Sequence, residues 1–385
     1  MQPKKNPPKK LTRAQRRRRR KIRRVAWRSA LCVLTLIGLV LVAALSAGQA
    51  AFNGPSQTVG DLLTVSMLET SALKFVPHIF YSNEKVDEIV ARNSVSDDNE
   101  ETDTSLIVIA RPTPTPDPNA TPEPEPEPEA DDQSAPVAEI VAPVATPVPE
   151  NLLFDEDGIE VYSVKSGTYS GYMMVVRDPS RVTVGTCSDK FTSAAGLQLK
   201  DIAKRYDAVA AINGGGFEDS GGVGNGGRPV GLVISEGQVM HTGTDSNYNI
   251  TVGFNQDNIM IIAKNMSKGD AEKKGIRDAI TFGPALIING EPASVKGMGS
   301  GLNPRTAIGQ RKDGAVLMLV IDGRQASSLG ATFSDLISIM LDYGAINAIN
   351  MDGGSSSLMY YNGDYLNTGV TLTGSRKMPT AFIVR

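Results

Sequence analysis

The chain has 385 residues and a formal net charge of −3, and it contains only two cysteines and two histidines. Cys32 lies in an apolar N-terminal stretch and Cys187 in the C-terminal part, so a disulfide framework is excluded. Two histidines are too few for a zinc site of the three-histidine type. The length leaves room for one domain of roughly 200–250 residues and several appendages.

The N-terminal part has the composition of a membrane anchor. Residues 1–28 form a basic tail with 14 Lys/Arg and no acid, and residues 29–52 form an apolar stretch without charge. Such a stretch is typical of a transmembrane helix, and a basic block before it stays on the cytoplasmic side. We therefore expect a single-pass protein of the cell membrane with a cytoplasmic N-terminus and an extracellular C-terminal domain. A cleaved signal peptide is the alternative, because small residues at 47–51 offer a cleavage site.

Two segments follow the anchor. Residues 53–92 show short helical patterns broken at Pro77, which indicates a membrane-proximal helical segment. Residues 93–150 carry 14 Asp/Glu and one Arg around the run TPTPDPNATPEPEPEPE. Proline at every second position and repeated acids favour a disordered, acidic, proline-rich linker of polyproline II character. The 17 residues of that run alone would reach roughly 50 Å at about 3.1 Å per residue.

Residues 151–385 have the composition of a globular domain. Their 21 basic and 23 acidic residues nearly cancel, and nothing in them indicates a nucleic-acid groove. Short β-rich runs alternate with glycine-containing turns, and a helix at Ser193–Tyr206 leads into a strand at Ala208–Asn213. This mixture predicts an α+β (mixed α/β) domain with a central, largely mixed β-sheet and flanking helices.

That strand ends in Asn213 and Gly214, the start of a run of three glycines. An amide side chain both donates and accepts hydrogen bonds, which suits a sugar hydroxyl or a phosphate oxygen. Glycine lets a ligand approach the backbone closely. The pattern fits a substrate-binding turn and a purely structural tight turn equally well.

A strand, a helix and a second strand are predicted at Val316–Ile321, Thr332–Leu341 and Ile346–Met351. Either Thr332 or Ser334 can cap the helix. These lengths suit a β-α-β unit with parallel strands, whose crossover is nearly always right-handed. In open α/β sheets, ligands bind at the carboxyl ends of such strands.

An aspartate followed by glycine ends each of these two strands, at Asp322 and Asp352. We expect both carboxylates to face one cavity, because parallel strands end at the same edge of a sheet. Cleavage of a glycosidic bond commonly needs two carboxyl groups, one as acid and one as base or nucleophile. The sequence therefore predicts Asp322 and Asp352 as the catalytic pair, with the order of their roles open.

Further candidates surround this pair. An arginine clamps phosphate bidentately. Arg305 follows Pro304, Arg324 lies two residues after Asp322, and Arg376 lies in a basic loop before the terminal strand. The amides and hydroxyls of a glycine-serine run can bind an anion. The predicted substrate-binding residues are Asn213, Gly214, Arg305, Arg324, Gly353, Gly354, Ser355, Ser356 and Arg376.

Six pieces of the sequence are similar to the phosphodiester glycosidase family: AAINGGGF, FGPALIING, NPRTAIG, VIDGR, NMDGGSSS and RKMPTAFIV. The resemblance covers residues 151–385. It implies hydrolysis of a sugar-1-phosphodiester, with release of the sugar and a phosphomonoester left behind. Carried over by motif, it also implies that the site is lined by Asn213, Arg305, Asp322, Arg324, Asp352, Gly353, Gly354 and Ser355.

With the anchor, the resemblance predicts an extracellular hydrolase that acts on a phosphodiester in a cell-wall or exopolysaccharide glycan. We expect no required cofactor, although a divalent cation is possible. One alternative is a non-catalytic protein that binds or assembles polysaccharide. Another is a metal-dependent phosphodiesterase with the two aspartates as oxygen ligands. The sequence leaves the oligomeric state open.

Overall fold

The computed structural model describes residues 12–70, 72–96, 101–109, 150–192, 194–219, 224–243, 249–369 and 376–385. The centre of the predicted linker, residues 110–149, lies outside the described residues. So do residues 1–11 of the basic tail.

Seven α-helices occur in the described part of the chain. They are α1 (Arg13–Phe52), α2 (Gln57–Leu68), α3 (Pro77–Phe80), α4 (Asn83–Arg92), α5 (Leu199–Arg205), α6 (Lys268–Lys273) and α7 (Phe333–Asp342).

The strands concentrate in the C-terminal part. They are β1 (Val95–Ser96), β2 (Leu152–Glu156), β3 (Ile159–Lys165), β4 (Ser170–Val176), β5 (Val182–Thr186), β6 (Leu197–Gln198), β7 (Ala210–Asn213), β8 (Val233–Ser235), β9 (Gln238–His241), β10 (Ile250–Asn255) and β11 (Met260–Lys264). They continue with β12 (Ile276–Phe282), β13 (Ala285–Ile288), β14 (Glu291–Pro292), β15 (Ser294–Val295), β16 (Arg305–Arg311), β17 (Val316–Ile321), β18 (Ala345–Met351), β19 (Met359–Tyr361), β20 (Asp364–Tyr365), β21 (Lys377–Met378) and β22 (Thr380–Val384).

Three larger sheets carry the architecture. The largest has eight strands in the order β14-β13-β18-β16-β17-β4-β3-β2. Two five-stranded sheets have the orders β11-β10-β12-β8-β9 and β20-β19-β7-β22-β5, and β1-β15 and β21-β6 form short pairs. Helices and sheets mix in one domain, which confirms the predicted α+β class. Every strand pair of the eight-stranded sheet is antiparallel, which corrects the prediction of a largely mixed sheet.

The predicted β-α-β unit is present. The strands β17 and β18 each pair antiparallel with β16, so they run parallel to each other with β16 inserted between them. Thr332 is the residue that caps α7: its side chain accepts from the N–H of Asp335, and the Asp335 side chain accepts in return from the N–H of Thr332. Apolar residues of α7 such as Leu336 and Met340 pack on this sheet.

The main core lies between the inner faces of the three sheets. Phe254 of β10, Met318 of β17 and Phe382 of β22 meet there, each fully buried. The rings of Phe254 and Phe382 lie edge to face with centroids 6.3 Å apart. Burial of this apolar surface is the principal force that holds the sheets together, and the sheet edges above it carry the polar site.

Helix α1 is 40 residues long, and its apolar part packs against no other described element over most of its length. Leu34 and Leu39, for example, are 64% and 63% exposed. By length and composition this is one helix able to cross a membrane. Its last turn joins the next helices, where Phe52 stacks on Phe80 with centroids 4.7 Å apart.

Part of the expected linker packs on the domain. Strand β1 pairs with β15, and the N–H of Val108 donates to the carbonyl of Lys312 at 2.8 Å. Residues 93–96 and 101–109 therefore belong to the folded structure, which corrects the predicted start of the linker at residue 93. Backbone pairing with distant strands is not visible in the local composition on which that boundary depended.

Candidate functional site

A cavity of about 830 Å³ lies where β16 begins and where β17 and β18 end. The predicted site residues that line it are Arg305, Arg324, Asp352, Gly353, Gly354, Ser355 and Arg376. Sequence analysis missed the other lining residues, which are Glu69, Asn93, Ser94, Val95, Asp219, Asn249, Ile250, Lys264, Phe282, Gly283, Pro284, Ser300, Phe333 and Asn350.

Asp352 is the predicted catalytic residue that reaches this cavity. It follows β18, and its N–H donates to the carbonyl of Gly214 at 3.3 Å. Burial raises the pKa of Asp352 to about 6, and the charge of Asp219 acts in the same direction. Ser356 and Arg376 lower the pKa by a smaller amount. A carboxyl group with this pKa exchanges a proton readily near neutral pH.

Asp322 lies at the same sheet edge but does not line this cavity. Its carboxylate accepts from the side-chain amide of Asn367 at 2.9 Å, and that amide also donates to the carbonyl of Ser357. Burial raises the pKa of Asp322, while Asn367 and the N–H of Thr368 lower it. The carboxylate is thus part of a network that holds the turn after the 3₁₀ segment 354–356.

The pleat of the sheet explains why the two carboxylates diverge. Ile321, before the first aspartate, packs on the α7 side, whereas Met351, before the second, packs in the core between the sheets. Successive residues of a strand point to opposite faces, so Asp322 and Asp352 leave the sheet on opposite sides. With β16 between them, their backbones are also roughly 10 Å apart, two strand spacings. This corrects the expectation that both carboxylates face one cavity.

Arg305 is the first residue of β16 and is 4% exposed. Its Nε donates to the carbonyl of Ala331 at 3.2 Å, and its Nη2 donates to Ser300 and to the carbonyl of Gly301. The guanidinium carbon lies 4.4 Å from the ring centroid of Phe333. These contacts fix the position of the guanidinium and leave Nη1 as the nitrogen that can bind an anion. In this structure the anion is the carboxylate of Glu69, whose Oε2 lies 3.0 Å from Nη1.

Arg324 completes the pair from the turn after β17. Its backbone has φ of +56°, a left-handed conformation that is uncommon for a residue with a side chain. Its Nη2 donates to Asn303 Oδ1 at 2.9 Å. A Cβ atom at Gly354 would lie only 3.2 Å from Nη1 of Arg324, so glycine at that position leaves room for the guanidinium.

Arg376 also lines the cavity, and its charge acts on Asp352. Its Nη1 donates to Ser355 Oγ at 3.3 Å, its Nη2 forms an ion pair with Asp219, and its guanidinium lies 4.9 Å from the ring centroid of Phe217. Asp219 was missed because it lies in a glycine-rich stretch with no motif of its own. The structure therefore gives Asp352 a cation and a second acid as neighbours.

Three residues predicted to bind substrate, Asn213, Gly214 and Ser356, do not line the cavity. Asn213 is 1% exposed, and its amide is fully used: Nδ2 donates to the carbonyl of Asp352 at 2.5 Å, and Oδ1 accepts from Thr306 and from the N–H of Leu358. Gly214 packs against Thr380, which a side chain there would displace. Ser356 is 1% exposed and does not line the cavity. Asn213 and Gly214 thus position the backbone of Asp352 and do not themselves line the cavity.

Among the described ranges, no group of three or more His, Cys, Asp and Glu side chains is arranged so that it could hold a metal ion. The acids of the cavity, Glu69, Asp219 and Asp352, are instead each set beside an arginine.

Comparisons with known proteins find relatives of the C-terminal part of the chain. Residues 206–385 match the model of the phosphodiester glycosidase family. The chain is 34% identical over 175 residues to the uncharacterised SPbeta prophage-derived protein YomE of Bacillus subtilis (strain 168); the match covers 43% of this chain. The chain spans only 26% of the length of that relative.

Two solved structures are similar to a lesser degree. One is the catalytic domain of zebrafish N-acetylglucosamine-1-phosphodiester alpha-N-acetylglucosaminidase, auto-inhibited by its pro-peptide, with 22% identity, coverage of 59% of this chain and 82% of that chain, and a TM-score of 0.48. The other is a hypothetical protein from Synechocystis, with 17% identity, coverage of 59% and 62%, and a TM-score of 0.42. Residues 206–385 therefore form a domain of the phosphodiester glycosidase family.

Proposed function

We propose that this protein is a membrane-anchored hydrolase that cleaves a sugar-1-phosphodiester and releases the sugar and a phosphomonoester. The observation that carries the proposal is the position of Asp352, which shares one cavity with the guanidinium groups of Arg305, Arg324 and Arg376. A carboxyl group that titrates near neutral pH beside several cations suits a substrate with a negative charge next to the bond that breaks.

Arg305 and Arg324 form the anion side of the proposed site. Both donate to the same residue, Glu69, the first through its carboxylate at 3.0 Å and the second through its backbone carbonyl at 3.4 Å. Arginine prefers planar anions such as carboxylate and phosphate. The phosphate of the substrate would lie at this pair, where two positive charges stabilise the phosphomonoester as it leaves.

Asp352 would act on the sugar side. The bond between the anomeric carbon and the bridging oxygen breaks, and its electron pair leaves with the phosphomonoester. The oxygen of a water molecule bonds to the anomeric carbon, and its proton passes to the carboxylate of Asp352. A phosphomonoester is a good leaving group, so the reaction needs charge stabilisation more than a second carboxyl group, and Asp322 holds the turn next to the site.

The place of action follows from the anchor. Helix α1 would cross the membrane with the basic tail on the cytoplasmic side. The domain would be held at the outer surface by its contacts with the segment that follows α1. A domain held in this way would reach a polymer of the cell wall or an exopolysaccharide. A glycan phosphodiester of such a polymer is therefore the proposed substrate class.

The test uses the full chain in detergent with a panel of α- and β-linked sugar-1-phosphodiesters. Release of free sugar together with a phosphomonoester supports the proposal. In water labelled with ¹⁸O, the phosphomonoester should carry no label, because the water attacks carbon. Label in the phosphomonoester would indicate a phosphodiesterase, and absence of release from every substrate would count against hydrolysis.

A further inference from the structure

One acid at the site comes from outside the matched family region. Glu69 follows helix α2 of the membrane-proximal segment, and its Oε2 lies 3.0 Å from Arg305 Nη1. The same oxygen accepts from the side-chain amide of Asn303 at 2.9 Å. Arg324 donates to the backbone carbonyl of Glu69 and to Oδ1 of Asn303. Glu69 thus contacts both arginines, Arg305 through its carboxylate and Arg324 through its backbone carbonyl.

The segment is docked so that Glu69 stays in this position. Ser66 Oγ accepts from the N–H of Leu302 at 2.9 Å, and Asn93 Oδ1 accepts from the N–H of Met298 at 2.8 Å. Asn93 in turn donates to Asp61, which also forms an ion pair with Arg92 at 2.6 Å. The contact therefore involves both α2 and the end of α4.

The loop that receives the segment is shaped for it. Gly297 and Gly301 both have positive φ, +57° and +74°, where a side chain is strained. A Cβ atom at Gly297 would collide with Asn93, and one at Gly301 would collide with Ser66. Glycine at two such positions, each opposite a docking residue, is independent evidence that the segment belongs on this face of the domain.

We propose that Glu69 is an internal competitor for the substrate phosphate, so that the membrane-proximal segment sets the affinity of the site. The proposal rests on the proposed function, which makes the arginine pair the phosphate site. Nε and Nη2 of Arg305 already donate hydrogen bonds to Ala331, Ser300 and Gly301. A phosphate can therefore bind Nη1 only by displacing Glu69. A competitor attached to the same chain lowers the apparent affinity by the fraction of molecules in which it is bound.

The experiment measures binding of inorganic phosphate to the full chain in detergent by titration calorimetry. Glu69→Gln keeps the shape of the side chain and removes its charge, and Asp87→Asn removes one charge from an exposed position of the same segment as the control. We expect Glu69→Gln to tighten phosphate binding by about fivefold or more and Asp87→Asn to leave it unchanged. Equal or weaker binding by Glu69→Gln would overturn the proposal.

A second variant tests the same idea without change at the site. Asp61→Asn weakens the docking of the segment, so phosphate binding should also tighten. In the double variant Glu69→Gln/Arg305→Gln, the gain in phosphate affinity from Glu69→Gln should be lost. Binding of phosphate does not require hydrolysis, so this result stands even if every sugar phosphodiester proves inert. Where turnover is observed, Glu69→Gln should lower KM, and a more than tenfold fall in kcat would show Glu69 to be catalytic and contradict its role as a competitor.

Discussion

The side-chain amide of Asn213 donates to the backbone carbonyl of Asp352 at 2.5 Å, and its oxygen accepts from Thr306 Oγ1 at 2.7 Å. Asn213 ends β7 in one sheet, while Thr306 and Asp352 belong to the strand ends of another. One buried amide therefore positions the backbone of Asp352 relative to β16. The residue that looked like a sugar ligand in the sequence is a support for the reacting group.

This role predicts the effect of Asn213→Ala. The variant leaves the carbonyl of Asp352 and the hydroxyl of Thr306 without a partner, which costs about 1–3 kcal/mol of folding stability for each buried group that stays unpaired. We expect kcat to fall at least tenfold because Asp352 shifts, while KM stays within about twofold. Steady-state kinetics checks this, and a rise in KM at constant kcat would show that Asn213 binds substrate directly.

Asp352 also predicts a pH dependence of stability. Its pKa is about 6 in the folded protein against 3.8 for the free group, so the folded state holds the proton more tightly. The associated stability is fully present below about pH 4 and is lost as the pH rises through 6, and a change of this size corresponds to about 3 kcal/mol. Asp352→Asn should therefore be more stable than the wild type at pH 8 and no more stable at pH 4.

Thermal denaturation of the full chain in detergent, followed by near-UV circular dichroism at both pH values, measures this difference. The exposed variant Asp87→Asn serves as the control and should follow the wild type. Parallel pH dependences of the wild type and Asp352→Asn would contradict the raised pKa.

Arg324 is predicted to recognise charge. It lines the cavity beside Gly354 and donates to Asn303. We expect Arg324→Gln to raise KM for a sugar-1-phosphodiester by about tenfold, the scale of losing one hydrogen bond to a charged group. KM for a neutral aryl glycoside of the same sugar should change less than threefold. Arg311→Gln, at a surface ion pair with Asp313, is the control, and equal losses on both substrates would argue that Arg324 only supports the turn.

Removal of metal should leave the reaction unchanged. The proposed chemistry assigns charge stabilisation to arginines, and the acids that line the cavity are each set beside a cation. Preincubation with a chelator, followed by the hydrolysis assay, should give the rate of the untreated protein. Loss of activity that magnesium, calcium or manganese restores would instead favour the metal-dependent phosphodiesterase.

The β-α-β unit that carries the site could be predicted from the sequence. The patterns of Val316–Ile321, Thr332–Leu341 and Ile346–Met351 predicted two parallel strands, the helix between them and the shared edge of the strands, because local pattern determines strand and helix. The side-chain directions of Asp322 and Asp352 could not be read in this way. They depend on the pairing of both strands with β16 and on which face each strand buries, and these are properties of the assembled sheets.

Glu69 is a cavity residue that could not be predicted from the sequence. It lies 236 residues from Arg305 in the chain, in a segment whose composition indicates only a helix near a membrane. Its contact with Arg305 depends on the docking of that segment through Ser66 and Asn93. Long-range contacts between polar groups leave no periodicity in the sequence, so this acid could be found only in the structure.

The most direct test of the account compares two isosteric variants, Asp352→Asn and Asp322→Asn, in hydrolysis of a sugar-1-phosphodiester by the full chain. Because Asp352 lines the cavity and Asp322 does not, we predict that Asp352→Asn lowers kcat by about 10²–10⁴-fold. Asp322→Asn, which alters a supporting hydrogen-bond network, should retain activity within about tenfold. Equal losses in the two variants, or full activity of Asp352→Asn, would contradict the claim that Asp352 is the reacting carboxyl group.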